Sequence, residues 1–393
     1  MSLQRRLARE LDRRVRGVAG LALAHLPSAY RSVPDGAWLL GGSGGAAYAD
    51  NSASLHRFLR AHHPEIDVRW VINRDSVDVE RARAIGPVLF RDAPSTYAAA
   101  RHAAVHVISH GVHDVPLCAS SMTKSAFKVR LGHGLTAMKK TKPRSLHTNR
   151  SANAVFDLVP VASAFERDNK RSWDIDDNAL VIAGLPRFDD LLKQARGPRA
   201  RSLLYMPTWR DGLDLRRQNE VLAAVSAFLG HEQLHRALVA RNMTIDVYVH
   251  RNMKELLAPL ASRLQQAPVR LLPTSHNVQH ALATCVGLIT DYSSTCWDAL
   301  YIDRPVLFFQ FDLERYLGER GAYFDLENDT PGPRSSTPAQ AAQMVAAFLD
   351  TDLHLTQAAR RWQTRAFTWR DDRNCERVYR AIVDAMVTRR QTR

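Results

Sequence analysis

Short apolar runs separated by amphipathic stretches recur along the chain from Ala37 onward. Trp38–Leu40, Val68–Ile72, Val88–Phe90 and Val105–Ser109 predict strands, with helices over Ser52–His62, Val79–Ile85 and Tyr97–His102 between them. Strictly alternating strands and helices predict a parallel, doubly wound sheet. Further strands are expected at Phe127–Leu131, Leu158–Val161 and Val181–Ala183, and Ala195–Arg201, rich in Pro, Gly and Arg, reads as a linker. The pattern then restarts: strands at Ser202–Met206, Ile245–Val249, Val269–Leu272 and Val286–Ile289, a helix at Val221–Leu229, another from about Thr295, and a strand at Pro305–Phe311. Helices over Pro338–Asp350 and from Leu353 onward close it. The expected organisation is a segment at 1–35, one Rossmann-like domain at 36–197 and a second at 198–393, with the terminal helices returning to the first.

Before Ala37 the pattern differs. Leu3, Leu7, Leu11, Val15 and Val18 form a stripe among Arg5, Arg6, Arg9, Arg13, Arg14 and Arg16, which predicts a basic amphipathic helix. Such a helix suits an anionic membrane surface, or equally docks on the protein's own body with a solvated arginine face. It is too short in its apolar stretch for a secretory signal, and no run is long enough to span a bilayer.

The formal charge of +14 implies anionic partners without choosing among them. The apolar fraction of 45% excludes disorder. Cys118, Cys285, Cys296 and Cys375 are scattered without a Cys-x-x-Cys pair, so neither a disulfide framework nor a zinc site is expected, and a reducing cytoplasm fits.

Candidate chemistry gathers at strand ends. In an open α/β sheet ligands bind beyond the carboxyl ends of the strands. There the chain carries Gly132-His133-Gly134, then Tyr205 to Asp211 with Arg210, then His250-Arg251, then Thr290-Asp291-Tyr292-Ser293-Ser294 opening a helix. A histidine between glycines is accessible to a substrate and suits general-base work. Arg210 offers a fork of donors to phosphate, and hydroxyls with free amides at a helix start favour an anion. Gly42-Ser43-Gly44-Gly45-Ala46-Ala47 follows a strand, but Asn73-Arg74 end the next one where a dinucleotide site wants an acid; a tight turn is expected instead. Asp174-Ile175-Asp176 imitates a metal-binding triplet yet falls in a polar loop, and Ser293 lacks the context of a hydrolase nucleophile.

Taken in order, these segments resemble the CDP-glycerol:poly(glycerophosphate) glycerophosphotransferase family, the teichoic-acid and capsule polymerases and primases. The resemblance rests on Thr290 to Ser294, Asp298, Arg304-Pro305, Phe311 to Tyr316, Arg320 to Asp325 with Pro331-Gly332-Pro333, Tyr205 to Asp211, Gly184 to Asp189, Asp50-Asn51 and Asp372 to Val378, spanning roughly residues 38 to 380. It implies a GT-B α/β architecture, two Rossmann-like domains facing across a cleft. It further implies transfer of a polyol phosphate, glycerol phosphate foremost, from a CDP-polyol to an acceptor hydroxyl with release of CMP. In that reading the catalytic residues are His133, which takes the acceptor's proton, and His250, which holds the pyrophosphate and stabilises the charge moving onto the leaving group, while Arg210, Thr290, Asp291, Ser293, Ser294, Gly134 and Asp312 bind the substrate. The acceptor is expected to be lipid-linked or polymeric, carrying polyol phosphate or saccharide; nucleic acid is not expected. The implied location is the cytoplasmic face of the membrane. No cofactor follows, and a divalent metal is left open. The chain departs from the family in its Lys139 spacing after His133 and in Arg251 after His250. The competing readings are a GT-B glycosyltransferase using a nucleotide sugar and a non-catalytic basic binding module.

Overall fold

The structure is a computed structural model that describes residues 36–140, 153–208, 215–249, 264, 267–273, 277–351 and 353–391. The basic segment 1–35, Arg210 and His250 lie outside the described residues.

The first domain is built on parallel strands β1 (Trp38–Gly41), β2 (Val68–Ile72), β3 (Val88–Phe90), β4 (Val105–Ile108) and β5 (Phe127–Arg130), in the order β3-β2-β1-β4-β5. A parallel bridge between Val129 and Leu158 joins on the pair β6 (Val159–Val161) and β7 (Leu180–Ile182). The second domain repeats the arrangement. Its strands β8 (Ser202–Met206), β9 (Thr244–Val247), β10 (Val269–Leu271), β11 (Gly287–Thr290), β12 (Val306–Phe309) and β13 (Arg334–Ser335) are ordered β10-β9-β8-β11-β12-β13, again all parallel. Central strands such as β1, β11 and β12 are buried at every residue, as strands covered by helices on both faces must be. In both sheets the strand order reverses beside the first strand, between β1 and β4 and between β8 and β11. There the crossover helices diverge and leave a crevice at the carboxyl ends.

The two sheets do not merely face each other. One continuous apolar cluster runs from Leu135, Met138, Leu185 and Phe188 of the first domain to Leu288, Trp297, Leu300 and Phe308 of the second. Helix Gln357–Ala366 seals it with Trp362, whose ring lies 5.3 Å from Trp297 and 4.6 Å from Phe324. Arg304 is buried here, and its guanidinium donates to the carbonyls of Ala283 and Cys285 at 2.7 Å each, satisfying the end of helix Val278–Thr284. The residues after Leu353 do not form one helix. The chain breaks between Ala366 and Asn374, because Thr368 donates its N–H to Ala162 and Asp189 takes the amides of Asn374 and Cys375 at 2.8 and 2.7 Å. The last helix, Asn374–Gln391, then packs Cys375, Val378 and Ile382 among Trp38, Leu55 and Leu59 of the first domain.

Candidate active site

The strand β5 runs into Leu131 and then Gly132, whose φ of +73° suits a residue without Cβ and turns the chain out of the sheet. His133 therefore stands at the strand's carboxyl end. The next residue, Gly134, lies against the second domain: a Cβ there would sit 2.9 Å from the Ser294 Oγ and 3.6 Å from an Arg187 nitrogen. The glycine thus brings the histidine loop against the turn that ends β11. Beyond it the chain is stitched across the interface. Tyr316 donates its hydroxyl to the Met138 carbonyl at 2.9 Å, Tyr323 donates its amide to Ala137 at 3.0 Å, and Lys140 its amide to Gly321 at 3.2 Å.

Behind His133 lies a network of charges. The His110 ring stacks on His133 with centroids 4.7 Å apart and planes 5° from parallel. His110 Nε2 lies 3.2 Å from Asp50 Oδ2, and its Nδ1 accepts the Ser43 amide at 3.1 Å. Asp50 heads helix Asp50–His62 with φ of +61°. Its other oxygen accepts from Arg187 at 2.9 Å. Arg187, at the start of helix Arg187–Ala195, also donates to the His133 carbonyl at 2.6 Å and to both oxygens of Asp298 at 2.7 Å. Asp114 fixes the rim by accepting the amides of Gly44, Ser109, His110 and Gly111.

The charges follow from this packing. Asp50 is drawn down from 3.8 to about 2: burial opposes its ionisation, but the His110 hydrogen bond and the Arg187 charge outweigh it. His133 is held below the ordinary imidazole value of 6.5, first because the protein walls around it disfavour the charged form and then by His110. His133 is nonetheless exposed as a residue, so water and substrate can reach it. For His110, burial works against the charge and Asp50 for it, with a net rise. The Ser43 amide donates to Nδ1, so the neutral ring carries its proton on Nε2, facing Asp50.

On the second domain, Thr290 and Asp291 are buried and their side chains are engaged within the protein. Thr290 donates to the Met206 carbonyl at 2.6 Å. Asp291 accepts the Thr208 amide at 2.9 Å, its hydroxyl at 2.5 Å and the Tyr292 amide at 2.6 Å, clamping the ends of β8 and β11 together across the crevice. Ser293 and Ser294 are half-buried at the turn, with Ser293 accepting from the Thr295 hydroxyl at 2.9 Å. Asp312 accepts the Tyr292 hydroxyl at 3.0 Å. Asp174 and Asp176 are exposed on their loop, where Asp176 caps a short turn. Among the described residues no group of three or more His, Cys, Asp or Glu side chains is arranged to hold a metal ion.

The sequence pattern of the CDP-glycerol:poly(glycerophosphate) glycerophosphotransferases matches residues 33–384. The chain belongs to this family. The minor teichoic acid biosynthesis protein GgaB of Bacillus subtilis (strain 168) is 19% identical over 356 residues, 85% of this chain and 38% of GgaB. The teichoic acid ribitol-phosphate primase of Bacillus spizizenii is 28% identical over 288 residues, 67% of this chain and 71% of the primase. Much of GgaB's length thus has no counterpart in this chain. In structure, the wall teichoic acid polymerase TagF superposes with a TM-score of 0.76 at 17% identity, covering 98% of this chain and 97% of that one. The likeness establishes the GT-B fold in this member of the family.

Sequence reasoning singled out His133 and the Thr290–Ser294 turn, which the fold brings together through Gly134. It did not single out His110, and it noted Asp50, Arg187 and Asp298 only as matching positions. A signal for His110 existed: Ser109-His110-Gly111 directly follows β4, the strand at the reversal of the sheet order.

Proposed function

We propose that this glycerophosphotransferase-family chain transfers a polyol phosphate, glycerol phosphate foremost, from a CDP-polyol to an acceptor hydroxyl. His133 takes the hydroxyl proton while the oxygen attacks the β-phosphorus in line. The bond from that phosphorus to the bridging oxygen breaks, and CMP leaves with the electron pair. Ser293 and Ser294, with Arg210 and His250 from beyond the described residues, hold the donor's pyrophosphate and take up the charge that moves onto CMP. Thr290, Asp291 and Asp312 keep that wall in shape. Catalysis is then mainly positioning and electrostatics, with a base added.

The observation that carries the reading is His133 at the carboxyl end of β5, packed through Gly134 against Ser294 at the carboxyl end of β11, where its surroundings disfavour the charged imidazole. A nucleotide-sugar transferase would use the same crevice, so the donor decides. Incubation with CDP-glycerol, CDP-ribitol and UDP-sugars, with the released nucleotide identified, is expected to give CMP; release of UDP alone would defeat the proposal. The acceptor and the membrane belong to the same proposal. The basic stripe of residues 3–18 suits anionic lipid on the cytoplasmic face, and no described helix is long and apolar enough to cross a membrane. Co-sedimentation with phosphatidylglycerol vesicles, lost when residues 1–35 are deleted, is the expected result.

A further inference from the structure

Phosphotransfer of this kind needs the base and the donor-holding turn at a fixed separation, yet they sit on different domains. We infer that Arg187 is the positioning residue that sets this separation, tying the His133 loop to the helix that follows Ser293 and Ser294. The inference rests on the reading of His133 as the base.

Arg187 Nη1 donates to the His133 carbonyl at 2.6 Å and to Asp50 at 2.9 Å, while Nη2 donates to both oxygens of Asp298 at 2.7 Å. Asp298 lies on helix Thr295–Tyr301, one turn beyond Ser294. The Arg187 amide donates to Asn51 Oδ1 at 3.0 Å, and Asn51 Nδ2 donates to the Gly132 carbonyl at 2.9 Å. The carbonyls of Gly132 and His133 are therefore both held from this one corner. The Arg187 side chain is only 7% exposed and Asp298 is 1% exposed, so the guanidinium is spent on orientation rather than offered to a ligand. Its planar fork meets three acceptors in three directions, which a lysine, a point charge on a flexible stem, cannot do.

Removing one member of a buried pair strands the other charge, whereas replacing both by apolar residues of similar size leaves folding near its original stability. The informative protein is therefore Arg187→Met/Asp298→Leu, with Arg187→Lys beside it. Each full chain is checked for its thermal midpoint, for CDP-glycerol affinity by calorimetry, and for single-turnover transfer to a short glycerol-phosphate oligomer at saturating donor. The double variant is expected to fold, to bind donor within about threefold of wild type, and to transfer about 100-fold more slowly, the cost of misplacing a reacting group by about 1 Å. Arg187→Lys is expected to recover part of that rate.

The pH profile supplies a readout that scaffolding alone would not move. Around His133 stand the His110 ring, Asp50, Arg187 and Arg130, and Arg187 is one of the cations that disfavour its protonation. Losing Arg187 also leaves Asp50 less compensated. The acid limb of the rate should shift to higher pH in the double variant. A folded variant, either one, that keeps the wild-type transfer rate overturns the inference, as does a rate loss matched by an equal loss of donor affinity. Turnover that survives in His133→Ala refutes the base instead, and so separates the two claims.

Discussion

Gly134→Ala tests how closely the histidine loop must approach the donor-side turn. The new Cβ would stand 2.9 Å from Ser294 Oγ, where ordinary contacts begin at 3.4 Å, so loop and turn must part by at least about 0.5 Å or the serine must rotate. Neither escape is free. Overpacking of this kind costs about 1–3 kcal/mol of stability, and a displacement approaching 1 Å costs on the order of 100-fold in rate, roughly 2.7 kcal/mol of barrier. The next contact, 3.5 Å to Ser294 Cβ, is ordinary, so deleting only Oγ should relieve the strain. The assay is a double-mutant cycle with Ser294→Ala, reading thermal midpoint and CMP release. Gly134→Ala should be severe in the wild-type background and mild in the Ser294→Ala background. Equal cost in both backgrounds would show that the Gly134–Ser294 approach is not what the glycine serves.

Asp50 is held at about 2 against an ordinary 3.8, so the stability it contributes is full above pH 3.8 and is lost as pH falls through 2. That gap is worth roughly 2 kcal/mol, so Asp50→Asn, which tolerates the same positive φ, should be less stable than wild type by about that much near neutrality, with the difference vanishing below pH 2 and the acid limb of the pH–stability curve flattened accordingly. Asp291→Ala should cost about 2–3 kcal/mol in denaturant titration and raise the KM for CDP-glycerol, because the amide and hydroxyl of Thr208 lose their acceptor and the β8 and β11 ends come apart. Gly184 has φ of +82°, and a Cβ there would fall 1.8 Å from the Asn374 side chain. Gly184→Ala should therefore lower the thermal midpoint steeply, by disrupting the seat of the last helix on the first domain.

Most of both sheets was legible in the sequence because largely buried parallel strands leave mostly apolar runs, and runs such as Val68–Ile72 and Ser202–Met206 match their strands residue for residue; the edge strand β13, two polar residues long, leaves no such run. The break at Ala366–Asn374 was not, since it depends on Asp189, nearly two hundred residues away, taking the amides that an uninterrupted helix would use. The site divides the same way. His133 announces itself through the glycines on either side, and Ser293 and Ser294 through their place between strand and helix. The hub does not: Arg187 meets His133, Asp298 and Asp50 at separations of 54, 111 and 137 positions, and no local pattern marks a residue whose partners are set by the packing of two domains. Thr290 and Asp291 carry the reverse lesson. Polar residues at a strand end look like ligand-holders, yet here their side chains meet Met206, Thr208 and Tyr292 and shape the wall on which a donor would rest.

The central claim is that a neutral His133 takes the acceptor proton in a phosphotransfer from a CDP-polyol. Its most direct measurement is the pH dependence of CMP release from CDP-glycerol by wild type and by His133→Ala. The wild-type acid limb is expected below pH 6.5, the ordinary imidazole value, because His133 stays unprotonated as pH falls. The folded His133→Ala protein should be slowed by about 100-fold or more and should lose this limb. A His133→Ala protein that releases CMP at the wild-type rate with the same pH profile would contradict the role of His133 as base.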